Sequence, residues 1–258
     1  MERMRRFGAL AYGVSCYAIF FVTFLYLIGF VGGFVVPKTI DSGPAGSLAF
    51  ALVVNGALLA LFGLQHSVMA RPGFKRWFTR VVPPAIERST YVLASTVVLI
   101  ALMAFWQPLP QTLFAIENET ARAAVTGVYL LGYGIVLYST FLIDHFDLFG
   151  LRQVFLRAIG RSYTEKRFAT PTLYKLIRHP LYVGWMITFW AAPTFSLGHL
   201  LFASAMTAYI LIAIPLEERD LEAALGEPHR SWRSRTPAFV PRIGRSRTRT
   251  ASAVGGTR

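Results

Sequence analysis

The stretch Phe7–Val36, FGALAYGVSCYAIFFVTFLYLIGFVGGFVV, runs for thirty residues without one Asp, Glu, Lys or Arg. A helix rises about 1.5 Å per residue and a hydrocarbon core is about 30 Å thick, so roughly 20 apolar residues span it. This stretch has length to spare. Arg3, Arg5 and Arg6 stand just before it, which gives the look of a secretory signal. The apolar run is far longer than a signal core of about 7–15 residues, so a retained anchor is expected. Within it, Gly29 and Gly33 form a small-residue step that reads as helix packing.

Working outward, further apolar stretches lie at about Ser47–Val68, Thr90–Trp106, Ala121–Ile143, Leu181–Leu197 and His199–Leu216. The last two are short and separated only by Ser196-Leu197-Gly198-His199, which reads as the turn of a helical hairpin. The predicted fold class is all-α: a polytopic transmembrane helical bundle of about six apolar spans, closed by a cytoplasmic C-terminal segment. Positive charge orients it, because Lys and Arg are retained on the cytoplasmic side. Arg3, Arg5 and Arg6, then Arg71, Lys75, Arg76, Arg80 and Arg88, then the bases of 144–178 and of the tail after Leu216, alternate with basic-poor connections. Six spans with both termini inside satisfy this alternation.

Composition supports a lipid-solvated chain. Hydrophobic residues make up 54% and charged residues 15%, against about 25% charge in ordinary soluble domains. The formal charge of +13 is spread over several loops, so it fits inside-positive retention better than nucleic-acid binding. Cys16 is the single cysteine, which excludes an intrachain disulfide and reads as a small buried hydrophobe. Residues 1–241 read as one integral-membrane domain, and 242–258 as a basic, disordered tail near anionic lipid headgroups. No internal repeat is present, which disfavours a transporter built from duplicated halves.

With charge so rare, ionisable groups near helix ends are the candidates for chemistry. Arg178-His179-Pro180-Leu181-Tyr182-Val183-Gly184 opens the fifth stretch. Proline suits a first helical turn, and helix N-termini favour anions such as a carboxylate. The bland alternative is a basic anchor at the membrane edge. Glu217-Glu218-Arg219-Asp220-Leu221-Glu222 ends the sixth stretch. Acids oppose the dipole at a helix C-terminus, so a cationic ligand is one reason for them; a helix that simply continues into water is the other. Together the clusters bracket one hairpin and suit a zwitterion.

RHPLYVG (178–184), followed by a hydrophobic hairpin and EERDLEAALGEPHRSWRSRTPAFVP (217–241), resembles the isoprenylcysteine carboxyl methyltransferase and phospholipid methyltransferase superfamily. The resemblance covers roughly 173–241. It implies S-adenosylmethionine as cofactor and S-adenosylhomocysteine as product, with Arg178, His179, Pro180, Tyr182, Gly184, Glu217 and Glu218 in the cofactor site. The family's downstream Gly-x-x-Tyr-x-x-Tyr is replaced here by Gly226-Glu-Pro-His229-Arg-Ser-Trp232, which removes both hydroxyls.

Two more clusters, Gln65-His66-Ser67 within NGALLALFGLQHSVMARPGFKRW (55–77) and Asp144-His145-Phe146-Asp147, resemble those of the bacterial methanethiol S-methyltransferases, with nurim-like envelope proteins as relatives. That resemblance extends over most of the chain. It implies S-methylation of a small thiol, methanethiol to dimethyl sulfide and hydrogen sulfide as a further acceptor, in a bacterial cytoplasmic (inner) membrane. Because the thiolate is the nucleophile, His66, Asp144, His145 and Asp147 are candidates for proton handling. Interhelical packing and a divalent metal site are the competing readings of that set. Other acceptors in the superfamily, a prenylcysteine carboxylate or a lipid amine, and a non-enzymatic scaffold remain alternatives.

Overall fold

The computed structural model of the chain describes residues 2–164 and 169–241. The basic tail expected at 242–258 lies outside the described residues. In chain order the elements are α1 (Glu2–Gly32), α2 (Leu48–Ala70), α3 (Pro72–Phe78), α4 (Pro84–Phe105), β1 (Thr112–Ala115), α5 (Glu119–Ile143), α6 (His145–Leu148) and α7 (Leu151–Ala158). A 3-10 turn (Thr172–Lys175), α8 (Pro180–Trp190), β2 (Thr194–Ser196), α9 (Leu197–Leu225) and α10 (Glu227–Arg235) follow. Five of these, α1, α2, α4, α5 and α9, are long and apolar enough to cross a membrane.

Local chemistry sets the starts. The Ser47, Asn118 and Ser196 side chains accept hydrogen bonds from the amides of Phe50, Ala121 and His199, capping α2, α5 and α9. α4 and α8 begin instead on prolines, whose missing N–H is no loss in a first turn. α4 starts at Pro84, six residues before the apolar stretch that marks it in the sequence. This brings Glu87 into its first turn, 3.8 Å from Lys75.

The fifth apolar stretch does not form a long helix. α8 has 11 residues, about 16 Å, because Pro193 forces the residues before it out of helical geometry. The chain continues extended, and β2 pairs antiparallel with β1. Backbone groups that leave a helix in an apolar medium must find partners. Here Ile116 N donates to Pro193 O, Leu197 N to Gln111 O and Gly198 N to Leu109 O, extending the strand pairing on both sides. The turn expected at Ser196–His199 therefore lies earlier, at 191–196.

Gly29 and Gly33 also differ from expectation. Gly33 lies beyond α1 at φ +75°, and a Cβ on Gly29 would meet Val36 Cγ1 at 2.5 Å and Phe34 O at 2.7 Å. The pair lets the chain fold back over the end of α1 rather than packing two helices. The close helix crossing is elsewhere: Gly184 of α8 lies against Gly132 of α5, where a Cβ on Gly184 would sit 2.8 Å from Gly132 O.

Between the helices Phe30, Trp106, Tyr133, Phe189 and Phe202 form an aromatic core. Val22, Val53, Leu64 and Ile212, each at least 65% exposed, face outward, as lipid-solvated helices require. One end of the bundle gathers the start of α1, the end of α2, the starts of α4 and α8, and the ends of α5 and α9. Arg71–Asp220 (2.8 Å) ties α2 to α9 there, and Arg88 Nε donates to Leu148 O at 2.9 Å. At the opposite end Asn55 exchanges two hydrogen bonds with the Gln107 backbone, and Trp106 Nε1 donates to Ile40 O.

Candidate functional site

The densest polar network sits at the first, basic end, where α8 begins beside α9. His179 is the cap residue of α8, yet its ring caps nothing and turns to Glu218. Glu218 Oε1 accepts from Arg178 Nε at 2.7 Å and lies 2.8 Å from His179 Nε2; Glu218 Oε2 is 2.9 Å from Arg233 Nε. Glu218 is 4% exposed and His179 7%. A buried carboxylate is tolerable only when paired in this way.

The acids do not end their helix, which is the second of the two readings of Glu217–Glu222, a helix that continues beyond the apolar stretch. α9 continues to Leu225 and stops at Gly226, whose φ of +66° a side chain would resist. The extra turns carry mixed charge pairs, Glu222 with Arg230 (2.7 Å) and Arg233 (2.9 Å). α10 then folds back toward α8. Arg178 N donates to Pro237 O, His179 N to Ala238 O, and Arg178 Nη1 to Thr236 O. The segment after α10 is thereby strapped across the start of α8, with the Phe239 ring 6.1 Å from His179. Trp232 Nε1 donates to Tyr174 O, and His229 is buried, with burial pulling its pKa down. The His229 and Trp232 rings lie 5.4 Å apart. An open cleft of ≈ 450 Å³ runs beside the network, lined by Pro215, Glu218, Arg219, Glu222, Arg230 and Arg233.

Tyr182, one turn into α8, donates to Glu217 Oε2 at 2.6 Å. Its hydroxyl lies within electrostatic range of those of Tyr209 and Tyr91. Pro180 occupies the first position of α8, and Gly184 points into the α5 crossing. The structure therefore brings Arg178, His179, Tyr182, Glu217 and Glu218 together, and gives Pro180 and Gly184 backbone and packing roles.

The second expected set is divided. His66 Nε2 is 3.0 Å from Tyr91 Oη, and His66 Nδ1 is 3.3 Å from Ser95 Oγ, both on α4. The Tyr209 ring of α9 closes on the same imidazole at 6.4 Å. His145 instead meets Tyr17 Oη of α1 and Thr140 Oγ1 of α5, each at 2.8 Å, and stacks on Phe141. Burial lowers the His145 pKa, and the neighbouring Asp144 carboxylate opposes that shift. Asp144, at φ 141°, accepts from Asp147 N and caps α6. Asp147 binds Arg152 at 3.0 Å and accepts from Tyr163 Oη. Thus His66 faces the α4–α9 side, while the other three tie α5, α6 and α7 to α1. Among the described residues, no group of three or more His, Cys, Asp or Glu is placed to hold a metal ion.

Sequence reasoning missed Arg233, Tyr91, Ser95 and Tyr209. A signal for Tyr209 existed: it lies eight residues before Glu217, on the same face of one helix. Arg233 had none, since its pairing depends on the reversal at Gly226.

Basic and acidic motifs clamped together at one end of a polytopic helical bundle define an integral-membrane protein with a buried polar network at that end. Comparison with known proteins gives its lineage. The chain is 48% identical over 238 residues to methanethiol S-methyltransferase of Mycobacterium tuberculosis, covering 92% of this chain and 98% of that protein. It is 49% identical over 238 residues to methanethiol S-methyltransferase 2 of Bradyrhizobium diazoefficiens, covering 92% of each. Nurim of Bos taurus is more distant, 32% identical over 184 residues, covering 68% of this chain and 70% of nurim. The chain belongs to the methanethiol S-methyltransferase family. No family model and no solved structure matches it.

Proposed function

We propose that this protein transfers a methyl group from S-adenosylmethionine to a small thiol, with methanethiol the favoured acceptor, dimethyl sulfide the product and hydrogen sulfide a further acceptor. The observation that carries the donor assignment is the convergence of Arg178, His179, Glu217, Glu218 and Tyr182 at one end of the bundle. Family membership carries the acceptor.

The residues fit the donor. Its carboxylate matches the guanidinium groups of Arg178 and Arg233, which hold Glu218 between them, and bidentate geometry suits a planar anion. Its ammonium matches Glu217, held by Tyr182 and only half-buried. When bound, it supplies an electrophilic methyl on a sulfonium. Tyr182 and Trp185 are aromatic faces on α8 that favour such a cation. The 236–239 strap limits water at the start of α8. Pro180 fixes that start, and Gly184 sets its distance from α5. S-adenosylhomocysteine leaves as the second product.

The acceptor must lose a proton, because the thiolate is the reactive form. Of the four proton-handling candidates, His66 is favoured, since its partners lead through Tyr91 and Tyr209 to Tyr182. His145 is engaged by α1 and α5, Asp144 by the amide of Asp147, and Asp147 by Arg152 of α7. The basic end faces the cytoplasm in this reading, in a bacterial inner membrane, because the donor is cytosolic and positive loops stay inside. The test is calorimetric binding of S-adenosylmethionine to detergent-solubilised protein. Wild type should bind; His179→Ala and Glu217→Gln should lose binding by tenfold or more, and His66→Gln should keep it. Equal binding by all four would remove the donor assignment.

A further inference from the structure

His66 and the Tyr182–Glu217 pair lie on different helices, and the side chain that joins them is Tyr209. Its ring is 6.4 Å from those of both His66 and Phe62. Ser67 Oγ, beside His66 in sequence, is 3.5 Å from the Tyr209 hydroxyl. The approach depends on Gly63, because a Cβ there would stand 3.1 Å from Tyr209 Cδ2. The Tyr209 hydroxyl also lies within electrostatic range of Glu217 and Arg71. His66, Tyr182 and Tyr209 are each half-buried, and Tyr91 is buried behind them.

We propose that the space bounded by His66, Tyr91, Tyr182 and Tyr209 is the acceptor compartment, taking one small neutral thiol, with Tyr209 holding its sulfur and limiting its size. The inference rests on the methyl-transfer reading. Aromatic faces suit a poorly solvated sulfur group, and hydroxyls on the rim give it polar partners. Among the described residues, the His66 ring nitrogens are hydrogen-bonded to the Tyr91 and Ser95 hydroxyls and to no cation. A neutral imidazole keeps one bare nitrogen in either tautomer, and hydroxyls rotate to donate or accept. The ring can therefore take up a proton without losing a partner.

The step balances. The thiol S–H bond breaks and its proton passes through the Tyr91 hydroxyl to the bare nitrogen of His66. The thiol sulfur forms a bond to the methyl carbon as the bond from that carbon to the donor sulfonium breaks. That bond's electron pair stays on the donor sulfur, which becomes a neutral thioether. The proton on His66 is released after turnover. Size selection follows from the walls: Phe62 stacks on His66 at 5.5 Å, and Tyr209 stands edge-on to both rings.

The test uses full-length protein in detergent with Tyr209→Phe, Tyr209→Ala and His66→Gln, each first checked for unchanged S-adenosylmethionine affinity. Tyr209→Phe should raise KM for methanethiol about three- to tenfold with little change in kcat, the range expected for one hydrogen bond. Tyr209→Ala should raise the ethanethiol-to-methanethiol ratio of kcat/KM about tenfold or more. His66→Gln should lower kcat about a hundredfold or more. A readout independent of turnover is saturation transfer from protonated tyrosines to dimethyl sulfide in otherwise deuterated protein, expected in wild type and weakened in Tyr209→Ala. Turnover in wild type with KM, selectivity and saturation transfer all unmoved in the Tyr209 variants would overturn the compartment and leave the methyl-transfer reading standing. No turnover of any thiol by wild type would overturn both.

Discussion

Removing the Glu218 carboxylate should release the C-terminal strap from the start of α8. In Glu218→Ala, Arg178 and His179 lose a shared acceptor at 2.7 and 2.8 Å, and Arg233 loses one at 2.9 Å. The Arg178 and Glu218 side chains are 17% and 6% exposed, and breaking a pair buried to that degree costs about 3–5 kcal/mol. The Arg233 arm is 43% exposed, so solvent screening leaves it about 1 kcal/mol at most. The loss falls on a local structure, because the Arg178 and His179 amides donate to Pro237 and Ala238. Those two amides are therefore the reporters. Hydrogen exchange on the solubilised protein should accelerate at both by about a hundredfold to several thousandfold, the range set by that energy at 1.4 kcal/mol per decade. Glu218→Gln, which keeps one acceptor oxygen, should give a smaller acceleration. Unchanged exchange at both amides in Glu218→Ala would show that the strap is held by something other than this network.

Three further outcomes are expected. Gly184→Ala should lower the melting temperature by the equivalent of about 1–3 kcal/mol, since its Cβ would press on Gly132 O and the Val136 backbone. Gly134→Ala, with nothing within 4 Å, should stay within about 1 kcal/mol of wild type; equal losses at both would discount the crossing. Asn55→Leu should cost about 1–3 kcal/mol by thermal unfolding, because the Gln107 backbone loses both of its Asn55 bonds in an apolar setting. Acid should also destabilise the fold through His145 and His229, whose pKa values burial lowers. Their stabilisation is complete above the unfolded value of about 6.5 and is lost as pH falls through the folded values. Melting curves should therefore fall below about pH 6.5, and His145→Gln should flatten that fall.

Much of this architecture is legible in the chain because lipid imposes a simple rule. Thirty uncharged residues at Phe7–Val36 have few alternatives to a spanning helix. The fifth stretch misleads because hydropathy reports what is solvated by lipid, whereas Pro193 decides what is helical. Gly29 and Gly33 mislead in the same way, since spacing does not distinguish a helix crossing from a chain reversal. At the site, Arg178–His179 and Glu217–Glu218 are visible as rare charges at the ends of apolar stretches, and the hairpin brings them together. The His66 and His145 clusters share an end of the bundle, and that proximity in depth suggested one constellation. Depth does not fix the angle around the bundle axis, and it is that angle which gives them separate partners on α4 and α1. Tyr209 was hidden because an aromatic residue in a span reads first as core.

The most direct test of methyl transfer to a thiol is headspace gas chromatography–mass spectrometry. Purified protein would be given methanethiol and S-adenosylmethionine carrying a trideuterated methyl group. Dimethyl sulfide bearing one deuterated methyl, formed in proportion to enzyme and matched by S-adenosylhomocysteine, is the expected result. Intact binding of the donor with no labelled dimethyl sulfide would contradict the account.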